Sequence, residues 1–178
     1  GHLNYWGIGA TGPDECRAAV RQLIKDGADY IKITATGGST ATSLPYRLRP
    51  SFTVEELRAI CDEAHKFGKH TAAHCSNIQG TINSLDGGVD TIIHGDFNEP
   101  DGTHNYRPDI AERIAKQGAM FNATLHCAGQ KMIWRLRAKQ ESDGLTQNEQ
   151  AILDRSRRSY ETRLDAFAKL RTSGVIMV

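Results

Sequence analysis

The stretch DYIKITATGG, residues Asp29–Gly38, decides how the rest of the chain is read. An apolar run that breaks on glycine marks a β-strand leading into a turn. Lys32 stands between Ile31 and Ile33 in that run. A cationic amine is expensive to bury, so a lysine in an apolar strand must pair, snorkel or lose its charge. The position asks for a chemical explanation.

Outward from this strand, one unit recurs: apolar strand, polar or glycine-containing loop, capped helix, glycine, strand. That is the βα pattern. Upstream, Gly12-Pro13 opens a helix with Asp14 and Glu15 at its positive end, and Gly27 closes it. Downstream, Thr53 and Glu56 have capping-box spacing, with Phe52 and Leu57 as the staple, for a helix from about Val54 to Phe67. Ser76 and Gln79 repeat that spacing after the strand HTAAHC and predict a short helix ending near Asp86–Gly88. VDTIIHG is the next strand, Pro108 opens a helix that closes at Gly118, and AMFNATL follows as a strand. Thr146 and Glu149 cap the second part of a long helical region, expected to reach Thr172 before the apolar tail VIMV. The strands alternate with helices, so the sheet should be parallel with right-handed crossovers. A complete (β/α)₈ barrel takes about 250 residues, so this chain would be an incomplete segment of one, read as a single unit over residues 1–178. A doubly wound sheet suits the same order of elements, and the site residues must separate the two.

Bulk composition excludes several classes. With 178 residues, 39% apolar and 24% charged, the chain is of globular type. A formal charge of +1 gives no reason to expect nucleic acid or an anionic membrane as a partner. No apolar run approaches the roughly 18 residues of a membrane span, and GHLNYWGIG has neither the basic nor the apolar region of a signal peptide. Cys16, Cys61, Cys75 and Cys127 form no CxxC pair, which favours a reducing compartment such as the cytoplasm over a disulfide framework.

Three polar residues fall at corresponding places on successive strands: Lys32 in YIKIT, His74 at the end of HTAAHC and His94 at the end of DTIIHG. Carboxyl ends of parallel strands share one mouth, where α/β active sites form. Imidazole is the commonest ligand for zinc-like metals, so the two histidines make a candidate metal pair.

DYIKITATGG, SFTVEELRAICDEAHKFGKHTAAHC and GGVDTIIHG together resemble the amidohydrolase superfamily, in its imidazolonepropionase-like and Xaa-Pro dipeptidase (prolidase-like) branch. The resemblance implies a TIM barrel with a divalent metal centre, usually two zinc ions. It assigns Lys32 to the strand-four lysine that is carboxylated by CO₂ and bridges the metals, and His74 and His94 to the strand-five and strand-six ligands. It further implies hydrolysis of amide bonds in small peptide-like or N-acyl amino acid substrates, with a metal-bound hydroxide attacking the carbonyl. Cyclic amide hydrolysis of the imidazolonepropionase type is an alternative. The family also uses a His-x-His pair on strand one and an aspartate after strand eight, neither of which lies in these residues. The chain is therefore expected to be a segment of a longer enzyme, to be completed by the remainder of its barrel or by a homo-oligomer, or else to be an inactive fragment that only binds or oligomerises.

Substrate contacts are sought around the same mouth. His2 matches a loop histidine that in this branch often faces substrate. Tyr46, Arg47 and Arg49, in the insert STATSLPYRLRP, suit a substrate carboxylate. His126, after the strand AMFNATL, reaches the mouth as a substrate contact or a partner of a ligand. Ser76 departs from relatives, which often carry tyrosine or histidine there. His65, His70 and His104 match no ligand position. Between Lys131 and Arg171, ten basic residues face six acidic ones, the pattern of a solvated helical face.

Overall fold

The computed structural model describes residues 8–37 and 49–178. The elements are α1 (Pro13–Lys25), β1 (Tyr30–Ile33), α2 (Val54–Lys66), β2 (His70–Cys75), α3 (Ile78–Asp86), β3 (Thr91–His94), α4 (Pro108–Gln117) and β4 (Met120–Asn122). A π-helical turn (His126–Gln130), α5 (Lys131–Ser142), α6 (Gln147–Thr172) and β5 (Ile176–Met177) complete the order. The five strands form one sheet in sequence order, and every neighbouring pair is parallel. This is the α/β architecture of a barrel segment, as the βα repeat predicts.

Local chemistry explains the boundaries. The Thr53 side chain accepts from the Glu56 backbone and Glu56 returns the bond to the Thr53 N–H; the same reciprocal box joins Thr146 and Glu149. Glu56 also accepts from the Gly12 N–H at 2.7 Å, which ties the start of α2 to the start of α1. Gly118 ends α4 in the left-handed conformation at φ 68°. One cap differs from expectation. Asn77, not Ser76, caps α3, accepting from Gly80 N–H at 2.7 Å. Ser76 is drawn elsewhere: its N–H donates to Thr36 Oγ1 at 2.8 Å, and its hydroxyl hydrogen-bonds His74 Nε2 at 2.9 Å.

The core lies between sheet and helices. Ile31, Ile33, Ala73, Cys75, Ile92 and Phe121 on the strands are buried with Val20, Leu57, Ile60, Ala64, Ile114 and Leu170 on the helices. Side chains alternate along a strand, so Tyr30 and Lys32 point to the opposite, inner face. Lys32 is thus not enclosed by its isoleucine neighbours, as the sequence suggested; it stands on the face away from the helices and is exposed among the described residues. A smaller core of Ile133, Leu136 and Leu153 holds α5 against the first part of α6.

Candidate active site

Register carries the inner face from strand to strand. Lys32 pairs with Ala72, and His74, two residues on, shares that face. His74 pairs with Ile93, so simple alternation would send His94 to the helix side together with Ile92. It does not go there. His94 adopts φ 68°, a left-handed conformation that is strained by roughly 1–2 kcal/mol in a non-glycine residue. This turn brings its ring to 4.5 Å from that of His74, centroid to centroid, edge to face.

Neighbouring contacts hold the turn in place. His94 Nδ1 hydrogen-bonds Thr124 Oγ1, and Thr124, at φ 44°, is the other positive-φ non-glycine residue among those described. Gly95 follows at φ 54°, and a Cβ there would lie 2.1 Å from Phe121 Cε2, so the backbone passes directly over the buried ring. Thr36 fixes His74 from the other side: its N–H donates to the His74 carbonyl at 3.2 Å, while its hydroxyl accepts from Ser76. Gly80 makes room for this threonine, since a Cβ would lie 2.1 Å from Thr36 Cγ2.

The electrostatics of the three groups agree. Burial, then the charge of Lys32, lowers the His74 pKa, opposed by a hydrogen bond to the Gly37 backbone. Burial, then His74 and Lys32, lowers His94 to about 4. The protein surrounding the Lys32 amine also lowers its pKa, through desolvation, despite the exposure of the residue as a whole. Both imidazoles are neutral at pH 7, the form that ligates metal. With Thr124 on Nδ1, His94 keeps Nε2 for such a role. Neutral nitrogens drawn together in this way fit part of a ligand set for a divalent metal. They are not a full set, because no group of three or more His, Cys, Asp or Glu side chains suited to a metal occurs among the described residues.

Other candidates separate clearly. His126 is exposed in the π-helical turn, two residues beyond Thr124, with its ring 5.8 Å from Trp134. His2, Tyr46 and Arg47 lie outside the described residues. Arg49 is exposed. His65 and His70 sit at the opposite end of the sheet beside Asp90, and His104 packs against Phe97. Cys75 faces the helices, where burial pushes its thiol up to about 11, so it is a packing residue. Sequence reasoning missed Thr36, Thr124 and the ion pair of Asp96 with Arg163 at 3.0 Å, which joins the loop after β3 to α6. A threonine just past each strand was the available signal for the first two.

Comparison with known proteins places this chain in a family. The model of the amidohydrolase family matches residues 3–177. The ochratoxinase of Aspergillus niger is 28% identical over 124 residues, covering 67% of this chain and 24% of that protein. A Xaa-Pro dipeptidase, solved with methionine bound in its active site, superposes with TM-score 0.68 at 29% identity, over 95% of this chain and 38% of its own. A prolidase complexed with N-methylphosphonate-L-proline gives 0.65 at 25% identity, over 94% and 37%. The chain therefore spans about a quarter of the curated relative and less than two-fifths of these solved structures. With a family model matched across nearly its whole length, the chain belongs to the amidohydrolase family.

Proposed function

We propose that this chain carries part of the active site of a metal-dependent hydrolase of amide bonds, acting on small peptide-like or N-acyl amino acid substrates. The observation that carries the reading is the convergence of Lys32, His74 and His94. Each of the two histidines feels the lysine as a repelling charge, and no carboxylate is among the causes that shift any of the three. Such a cluster is stabilised by an anionic partner, and carboxylation of the Lys32 amine would supply one while making it a metal ligand. A lowered amine pKa favours that chemistry, because only the neutral amine adds to CO₂.

In this reading Lys32, His74 and His94 hold divalent metal, with zinc the expected ion and two the expected number. A bound divalent metal supplies polarisation of the carbonyl and activation of water. The chain's own residues do the positioning. Thr124 fixes the His94 ring, and Thr36 fixes the β2 end that presents His74. Ser76 must release His74 Nε2 if that nitrogen is the ligating one. Methionine bound in the active site of the Xaa-Pro dipeptidase, and the proline phosphonate complexed with the prolidase, support the substrate class.

The test is metal content of the purified full chain, by elemental analysis, beside Lys32→Ala and His74→Ala. Loss of a ligand is expected to reduce affinity by at least about tenfold, the lower end of what second-shell losses alone produce. Equal metal in all three proteins would sink the site. Hydrolysis of a dipeptide and N-acyl amino acid panel, with and without chelator, then tests the reaction.

A further inference from the structure

The loop after β3 is tied to the helix layer by the most enclosed ion pair among the described residues. Arg163 donates to the Asp96 carboxylate at 3.0 Å, and the two side chains are only 24% and 12% exposed. Every other such pair has a member at least 40% exposed. A charge stranded in so enclosed a place is costly, so the pair holds together two segments that lie 67 residues apart. Asp96 is also bound to the strands of the site. It follows His94 by two residues, and its N–H donates at 3.3 Å to the carbonyl of Cys75, the residue after His74. Further along the loop, Asn98 donates from its side chain to the Ser76 carbonyl at 3.0 Å and accepts from the Ile78 N–H at 3.0 Å. The loop is braced across itself: Asn98 and His104 form an antiparallel bridge, and buried Phe97 packs on Tyr106, whose ring lies beneath Lys169 of α6.

From these contacts we propose that Asp96 and Arg163 are positioning residues: their pair fixes the chain that leaves β3, and so holds His94 and the end of β2 in the geometry that brings the two imidazoles together. The inference rests on the metal-site reading of Lys32, His74 and His94 and adds to it a brace from the helix layer. The need for a brace is local. His94 and Gly95 both have positive φ, 68° and 54°, and a histidine keeps that conformation only where its surroundings over-determine it. Thr124 restrains the His94 ring but not the chain that follows. Asp96, next after Gly95, fastens that chain to β2 through its N–H and to α6 through its carboxylate. Freed from α6, the backbone over 94–96 relaxes toward ordinary strand geometry, in which alternation turns the His94 side chain to the helix side.

The test begins without metal. In the full chain, Arg163→Gln should shift the ring NMR resonances of His74 and His94, assigned through His74→Gln and His94→Gln. Those of His65 and His70, at the opposite end of the sheet, should stay where they are. Cobalt(II), added as the only metal, should then bind about tenfold more weakly than to the unaltered chain, the lower end of the loss seen when a group that orients a ligand is removed. Its visible absorption should change shape as the ligand geometry changes. Arg163→Lys, which keeps the charge, should recover most of the affinity. Asp96→Asn should repeat the loss, and it serves alone if the Arg163→Gln chain does not fold. A pair that merely steadies α6 would lower the urea midpoint and leave the rings and the cobalt affinity unchanged, which would overturn the proposal while the metal site stands. Shifted rings in the variant, with no cobalt bound by the unaltered chain, would uphold the brace and remove the metal-site reading.

Discussion

The sheet with its helices and the α5–α6 hairpin are stabilised in different ways. In the sheet, every second residue of a strand faces a continuous core, and Phe121, Ile92, Leu57 and Ile114 are fully enclosed. In the hairpin, Ile133, Leu136 and Leu153 form a separate small cluster, supplemented by the ion pair of Lys139 with Glu149. Helix α6 belongs to both: Leu153 sits in the small cluster, while Ala166, Phe167 and Leu170 join the main core. The difference teaches that one long helix spans two regions of unequal stability, anchored to a large core at its end and to a small one at its start. Lys32, His74 and His94 therefore stand on the part of the chain with the larger core.

The comparison is broken most severely by Phe121→Ala. Removing a fully buried ring on which Gly95 also rests should destabilise the chain by about 3–5 kcal/mol, read as a shift in the urea midpoint. A loss under about 1 kcal/mol would mean that the sheet core does not depend on it.

A smaller effect is expected from Leu153→Ala, about 2–3 kcal/mol, with hydrogen exchange rising in α5 and the first half of α6 but not in the strands. If the two regions are independent, the double variant should be additive within about 0.5 kcal/mol. Strong non-additivity would show that the clusters act as one.

Smallest is the pH response of the α6 cap. Contact with Lys139, then with Thr146, lowers Glu149 from 4.5 to about 2. A carboxyl with a depressed folded pKa stabilises fully above its unfolded value and loses that contribution as pH falls through the folded one. Amide exchange at the start of α6 should therefore increase between pH 4.5 and about 2 relative to the rest of the chain. Glu149→Gln should abolish that response, and an unchanged profile in the variant would show that another group governs it.

Much of the fold was legible because it is set locally. Thr53 with Glu56 and Thr146 with Glu149 are separated by one helical turn, so the sequence alone contains both partners of each bond. HTAAHC emerges as a strand with the bounds its pattern implies. What failed depended on distant partners. Ser76 has the right spacing for a cap, yet Thr36 and His74 claim it, and Asn77 takes over. Lys32 reads as buried because its neighbours are isoleucines, but register and alternation put it on the other face. At the site, the residue types of Lys32, His74 and His94 were visible. The reversal that directs His94 inward was not, because Thr124 lies thirty residues away.

That reversal has a consequence for how the protein changes over time. His94 and Thr124 hold each other in backbone conformations that glycine or asparagine would adopt with less strain. Selection for stability alone would reward relaxation at these two positions, while selection for the proposed site would oppose it. A directed-evolution campaign aimed at hardier variants would therefore have to shield the pair from its own improvements.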